Sequence, residues 1–367
     1  MKKIIHGGDI YSHLEQSTDK EQSLIDFSAN INPLGLPEGV RVSIIESLDK
    51  CANYPDPLCR NLKNALSEKY SISQNNVILG NGASDLIYRL VLAKKPKKAM
   101  VLAPTFSEYE QALNAVGCQV ATHLLTQERM FTLDNNFPNI LDGSLDMLFI
   151  CNPNNPTGLL VEKNLMVEVL DKCSRYNILL IIDECFIDFV KEPGRFTLKS
   201  MIQEKKNLFI LCAFTKTYAM PGLRLGYGLC NDEELLEKMY AIWQPWNVSL
   251  VAQLAGLQAL KEDDYLEKSR LIVLNEQIFL KEKLSNFGFE VYPSESNYIF
   301  FRIPLEKTYE YIDSFESDLA NEGILVRSCA NFTGLDNSYF RIAVRTREEN
   351  EMLIDAIKKR EDEWQKQ

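Results

Sequence analysis

From Val77 onward the chain repeats one pattern: a short apolar run, a turn, then a stretch with helical spacing. The apolar runs lie at 77–79, 99–102, 118–125, 146–151, 178–182, 208–212 and 225–230. Helical patterns separate several of them, after Gly82 and at 107–115, 163–176 and 198–204. Runs that are apolar throughout predict strands covered on both faces, and strands joined through helices predict a mostly parallel sheet. In such sheets ligands bind outside the carboxyl ends of the strands. Gly82-Ala83-Ser84, Phe106, Asn155, Asp183 and Lys216 each follow one of these runs.

The flanking segments read differently. Ile25 to Ser28 can form a short strand, and the Asn, Pro and Gly density from Asn30 to Gly35 predicts turns. Helices are expected after Pro37 and over 61–69, with the rigid loop Asn53-Tyr54-Pro55-Asp56-Pro57 between them. A long helical stretch over 248–287 is broken by polar residues at 261–264. Strands at 289–292, 298–303, 324–326 and 339–344, with helices at 310–321 and 348–366, make an α+β layer. At 367 residues the length prior is about two domains. The expected division is an N-terminal arm, 1–45, that joins the small domain; a large domain, 46–250; and a small domain, 251–367.

Several function classes find no support. The net charge of -11 gives nucleic-acid binding no electrostatic basis. No run approaches the roughly 18 apolar residues of a membrane span. Met1 to Ile5 starts like a signal peptide, but His6-Gly7-Gly8-Asp9 ends the apolar run, so a cytoplasmic protein is expected. The nine cysteines include no C-x-x-C pair and read as reduced core residues. The three histidines, His6, His13 and His123, are not spaced as ligands, and no metal is expected.

Individual pieces then point to one chemistry. Lys216 follows an apolar strand, and burial lowers a lysine's pKa, which suits imine formation. Arg224 lies eight residues on, behind Pro221-Gly222, and offers a rigid fork for phosphate. Together they indicate pyridoxal phosphate (PLP) on Lys216 with its phosphate at Arg224. Gly80-Asn81-Gly82-Ala83-Ser84 opens a helix, a ready phosphate seat. Asp183 ends an apolar strand and needs a cationic partner, which a pyridinium nitrogen supplies.

In this order the motifs Gly80 to Ser84, Asn155-Pro156-Thr157-Gly158, Asp183-Glu184 and Thr215-Lys216 through Gly226 resemble the fold type I PLP enzymes. The branch is that of histidinol-phosphate aminotransferases and threonine-phosphate decarboxylases, and the resemblance covers nearly the whole chain. It implies an α/β fold, with a seven-stranded type of mostly parallel sheet and a smaller α+β domain. By that resemblance Lys216 binds the cofactor and moves the proton, Asp183 pairs with the ring nitrogen, and Asn155 donates to the ring hydroxyl. Gly82, Ala83, Ser84, Thr215 and Arg224 surround the phosphate, and Phe106 or Tyr109 stacks on the ring. Tyr54 reaches the cofactor of a second subunit, which implies a homodimer. Arg341 matches the arginine for the substrate carboxylate, with Arg345 on the same face if the strand continues. His6, Asn30 and Asn32 are candidates for the substrate phosphate or for covering the site.

Two positions depart from the aminotransferase pattern: Phe186 replaces a tyrosine and Ala213 a hydroxyl residue. The His6-Gly7-Gly8-Asp9 start, Asp26 to Gly35, and Asp183 to Phe189 resemble the decarboxylases of cobalamin synthesis. The expected reaction is decarboxylation of L-threonine O-3-phosphate; the alternative is histidinol-phosphate-type transamination with 2-oxoglutarate and glutamate. Either substrate is a small phosphorylated amino acid or amine.

Overall fold

The structure, a computed structural model, describes residues 7–16, 24–364 and 366. The chain opens with α1 (Ile10–Gln16), β1 (Ile25–Asp26), α2 (Glu38–Ser47) and α3 (Arg60–Tyr70). The alternating region follows: β2 (Val77–Gly80), α4 (Gly82–Lys94), β3 (Lys98–Ala103), α5 (Glu108–Ala115), β4 (Gln119–Leu124) and β5 (Met147–Cys151). It continues with α6 (Lys163–Tyr176), β6 (Leu179–Asp183), β7 (Leu208–Ala213), α7 (Phe214–Thr217), β8 (Gly226–Cys230) and α8 (Glu233–Ala241). The last third holds α9 (Leu250–Ala259), α10 (Asp263–Asn286), β9 (Glu290–Val291), β10 (Tyr298–Arg302) and α11 (Tyr309–Asn321). It ends with β11 (Ile324–Leu325), β12 (Arg327–Ser328), β13 (Tyr339–Ala343) and α12 (Arg347–Trp364).

Seven strands form one sheet in the order β2-β8-β7-β6-β5-β3-β4. All neighbours are parallel except β8, which runs against both β2 and β7. Strands β5, β6 and β7 are buried at every residue, the physical cause of their unbroken apolar sequence. Alternate residues feed opposite faces. Leu148, Ile150, Leu180 and Ile182 join one core with Leu62 of α3, Val169 of α6 and Ala252 of α9. Met147, Phe149, Leu179 and Ile181 join the other with Leu86 of α4, Leu113 of α5 and Leu235 of α8. Each fully buried aliphatic or aromatic side chain contributes about 1.5–3 kcal/mol.

A second layer is an antiparallel sheet, β12-β13-β10-β9. Its core joins Leu280 of α10, Phe315 of α11 and Leu353 of α12. The N-terminal segment is stitched into this layer. Strand β1 pairs in parallel with β11, Phe27 is fully buried in the same core, and Ala343 N–H donates to the Phe27 carbonyl at 2.8 Å.

Two local expectations fail. Residues 198–204 hold only a short 3-10 turn at Lys199–Met201, because Glu184 draws the Thr197 hydroxyl, Leu198 N–H and Lys199 ammonium onto its buried carboxylate. Helix α8 was not expected. Asp232 caps it by accepting from Leu235 N–H, and Leu235, Leu236 and Met239 bury one face. Among the described residues no helix is long and apolar enough to cross a membrane.

Candidate active site

The carboxyl ends of the central strands open on a cavity of about 290 Å³. Strand β7 runs into α7, a single turn that presents Lys216 to this cavity. Burial, reinforced by the Arg341 guanidinium, lowers the Lys216 ammonium from its ordinary 10.5 to about 8. Just beyond Pro221, Arg224 takes a left-handed backbone, φ 56°. That turn lays its guanidinium against Gly82: a Cβ added there would stand 2.6 Å from Arg224 Nη2. A Cβ at Gly226 would stand 2.6 Å from Ala83 N. Gly226 is therefore a steric requirement for β8 to meet the first turn of α4, and Gly82 is required by its left-handed backbone, φ 82°. The result is a cradle made of the N-terminal turn of α4 with Ser84 and the Arg224 guanidinium against it, lining the cavity together with Thr215.

Asp183 ends β6 and is almost completely buried. Its carboxylate accepts from the Tyr109 hydroxyl at 2.6 Å and from Cys185 N–H at 3.0 Å. Both donors are neutral, and burial holds the carboxyl above its usual range. Tyr109 itself is fully buried and stacked on Phe149, at 5.0 Å between centroids. Phe106, half-buried on the cavity wall, meets Tyr109 edge-on. The two aromatic candidates thus take different places. Both line the cavity, but the Tyr109 hydroxyl is committed to Asp183 and its ring is fully buried, whereas Phe106 is half-buried. Phe186 lies on the cavity and packs edge-on against Tyr298.

The opposite wall comes from the N-terminal segment and the second layer. Arg341 on β13 is buried; it donates through Nη1 to the Asn155 side-chain oxygen and through Nη2 to the Ser28 carbonyl at 2.6 Å. Its Nε has no hydrogen-bond partner. Asn155 thereby keeps its Nδ2 as the donating end. Arg327, which the sequence did not mark, stands opposite Arg341 in the β12–β13 ladder and also lines the cavity. It donates to Asn331 Oδ1 at 2.6 Å. Its signal was an arginine beyond an apolar run, indistinguishable from a surface residue.

The N-terminal candidates separate. Asn30 is buried, lines the cavity and has an unpartnered Oδ1. Asn32 does not face the cavity: its amide is committed to Thr217, Ser269 and Leu34. Ile31 N–H donates to the Ala29 carbonyl at 2.9 Å, a tight turn centred on Asn30, so Asn30 and Asn32 face different surroundings. Arg345 lies past the end of β13 and engages the Asp26 carbonyl and Glu349 instead. Tyr54 is 78% exposed against Trp246 and meets no part of this cavity within the chain. His6 falls outside the described residues.

These residues fit PLP. A glycine-lined cradle with a guanidinium suits its phosphate, a buried carboxylate with only neutral donors suits its pyridinium, and a lysine of lowered pKa suits its aldehyde. The comparisons agree. Residues 22–357 match the family Aminotransferase class I and II. A threonine-phosphate decarboxylase of Salmonella typhimurium is 36% identical over 96% of this chain and 95% of its own length. A histidinol-phosphate aminotransferase of Methanosphaera stadtmanae is 29% identical over 92% of this chain and 90% of its own. The crystal structure of the histidinol-phosphate aminotransferase from Clostridium acetobutylicum superposes with a TM-score of 0.85 at 32% identity, covering 93% of this chain and all of that one. With lysine, aspartate, arginine and glycine turn gathered at one strand-end cavity, the chain belongs to the class I and II aminotransferases and is an enzyme whose cofactor is pyridoxal 5′-phosphate.

Proposed function

We propose that the enzyme decarboxylates L-threonine O-3-phosphate to 1-amino-2-propanol phosphate, a step of cobalamin synthesis. The observation that carries this reading is the arginine pair. Arg327 and Arg341 are ladder partners on adjacent strands and share the cavity, so two cations stand side by side for a small molecule with two anionic ends. Guanidinium forks suit both carboxylate and phosphate. Identity also favours it, at 36% to the Salmonella decarboxylase against 29% to the Methanosphaera aminotransferase. The second reading, histidinol-phosphate-type transamination, is favoured by the likeness to the Clostridium structure.

In this proposal Arg224, Ser84, Ala83 and Thr215 hold the cofactor phosphate, Asp183 the ring nitrogen and Asn155 the ring hydroxyl, with Phe106 against the ring. The cofactor, when bound, is a sink for the electron pair left on the substrate α-carbon. The chain's own groups do the rest. Arg341 would fix the carboxylate, Arg327 and Asn30 would take the phosphate, and these anchors would orient the bond between the α-carbon and the carboxylate for cleavage. Carbon dioxide leaves, and Lys216 Nζ delivers a proton to the same carbon. A lysine near pKa 8 gives up and regains that proton readily near neutral pH. Phe186 brings no phenol to the ring oxygen, which leaves Asn155 as its donor.

A homodimer is part of the proposal, with exposed Tyr54 serving the partner's site; an active monomer in sedimentation removes that element. The reaction is tested by measuring carbon dioxide from phosphothreonine beside keto-acid formation with 2-oxoglutarate. Carbon dioxide release is expected. Turnover of histidinol phosphate with 2-oxoglutarate, and no carbon dioxide, establishes the second reading instead.

A further inference from the structure

Asn32 stands directly behind the turn that carries Lys216. Its backbone N–H donates to the Lys216 carbonyl at 3.2 Å. Its Nδ2 donates to the Thr217 carbonyl at 2.7 Å and to Ser269 Oγ, on α10, at 2.8 Å. Its Oδ1 accepts from Leu34 N–H at 3.1 Å, which fixes the amide's orientation. Asn32 and Ser269 are both nearly inaccessible. Three separate parts of the chain therefore meet at one amide: the N-terminal segment, the lysine's turn and the longest helix.

The turn needs such support. Helix α7 has four residues; Tyr218, Met220 and Ala219 N–H donate to the Phe214, Thr215 and Lys216 carbonyls, the last at a long 3.4 Å, while the Thr217 carbonyl accepts from the Asn32 amide. The helix is followed by a left-handed residue, Ala219, and by Pro221, neither of which continues a helix. The lysine side chain has four rotatable bonds, so a small rotation of its Cα swings Nζ far across the cavity. We propose that Asn32 is a positioning residue for Lys216, clamping the end of its turn to the N-terminal segment and α10 so that Nζ keeps one direction. This rests on reading Lys216 as the cofactor-bearing lysine. Asn32 itself does not line the cavity.

The experiment compares Asn32→Asp and Ser269→Ala with the unsubstituted protein. Aspartate keeps the shape and the acceptor for Leu34 but removes the donor to Thr217. Alanine at 269 removes only the link to α10. Hydrogen exchange is first measured on the cofactor-free protein. In Asn32→Asp the amides of residues 215–220 should exchange about tenfold faster, with β6 and β7 unchanged. Ser269→Ala should show the same pattern at smaller amplitude. In the loaded enzyme, kcat of Asn32→Asp should fall about tenfold while KM stays within about twofold.

Uptake of PLP, trapped by borohydride, gives a readout that packing alone would not move. A loosened turn admits water and relieves the burial that lowers Lys216, so the pH midpoint of uptake should rise in Ser269→Ala, which adds no charge. The charged and titratable groups facing Lys216 are Arg341, Arg224, Cys185 and Asp26; Ser269→Ala alters none of them, whereas Asn32→Asp adds a carboxylate beside the lysine's turn that raises the midpoint by charge as well. Unchanged exchange at 215–220 in both variants overturns the clamp. So does equal acceleration across β6 and β7, or a rise in KM with kcat held. Failure of borohydride to fix PLP on Lys216 in the unsubstituted protein overturns the cofactor assignment instead, and the exchange on cofactor-free protein still decides whether the clamp exists.

Discussion

The two walls of the cavity are built by different means. One is the row of strand ends after β2, β5, β6 and β7, whose backbones are fixed by a seven-stranded ladder. The other joins residues about three hundred positions apart, from Ser28 and Asn30 to Arg327 and Arg341, and is held by the two-residue pairing of β1 with β11 and by single hydrogen bonds. On the proposed reading the first wall serves the cofactor and the second the substrate. On that reading the cofactor's geometry is locked in the large sheet, and recognition comes from a second layer with its own core. Arg341 links the two walls through its hydrogen bond to Asn155.

If the division is real, substitutions on the two walls should differ in kind as well as in size. The largest effect is expected for Asp183→Ala, which removes the buried carboxylate. Turnover should fall about 10²–10³-fold for every amino-acid substrate alike, as measured by steady-state kinetics. Next comes Arg327→Ala. Losing one charge-assisted contact of about 1.5–3 kcal/mol should lower kcat/KM for phosphothreonine about 10–150-fold. Slow turnover of unphosphorylated threonine and retention of PLP should not change. Equal losses on both substrates would erase the distinction between the walls.

The smallest effect belongs to Tyr109→Phe. It removes one donor to Asp183, a loss of about 1 kcal/mol or fivefold in rate. Its signature is the direction of a pH shift. Burial raises the Asp183 carboxyl and the Tyr109 hydroxyl opposes that, so without the hydroxyl the carboxyl rises further. Asp183 then takes up its proton at a higher pH, and the acid limb of kcat/KM should move upward in a pH profile.

This division also accounts for what could be read in advance. The sheet wall is local in sequence: Gly82 to Ser84, Asn155, Asp183 and Lys216 each lie within a few residues of an apolar strand, so strand pattern and motif locate them together. The parallel order and both cores follow from the same runs. The other wall depends on side-chain direction after a turn and on strand pairing between distant segments. Asn32 and Asn30 differ by two positions, yet the tight turn centred on Asn30 sends one into the protein and the other into the cavity. Arg327 becomes a site residue only through its register with Arg341. Phe106 and Tyr109 were inseparable by composition, because the phenol's commitment to Asp183 exists only once β3 and β6 lie in one sheet.

The anchoring of Arg341 has a consequence for product clearance. Its Nη1 and Nη2 are already tethered to Asn155 and Ser28, and its buried Nε is the group left without a partner. In the proposed reaction the group it grips is the one that departs as gas. The arginine then needs no rearrangement, because both tethers persist, but the product has lost that handle and is retained chiefly by its phosphate end. Occupancy by product should therefore be shallow and turnover self-clearing, whereas a phosphorylated analogue that keeps its carboxylate should jam the site.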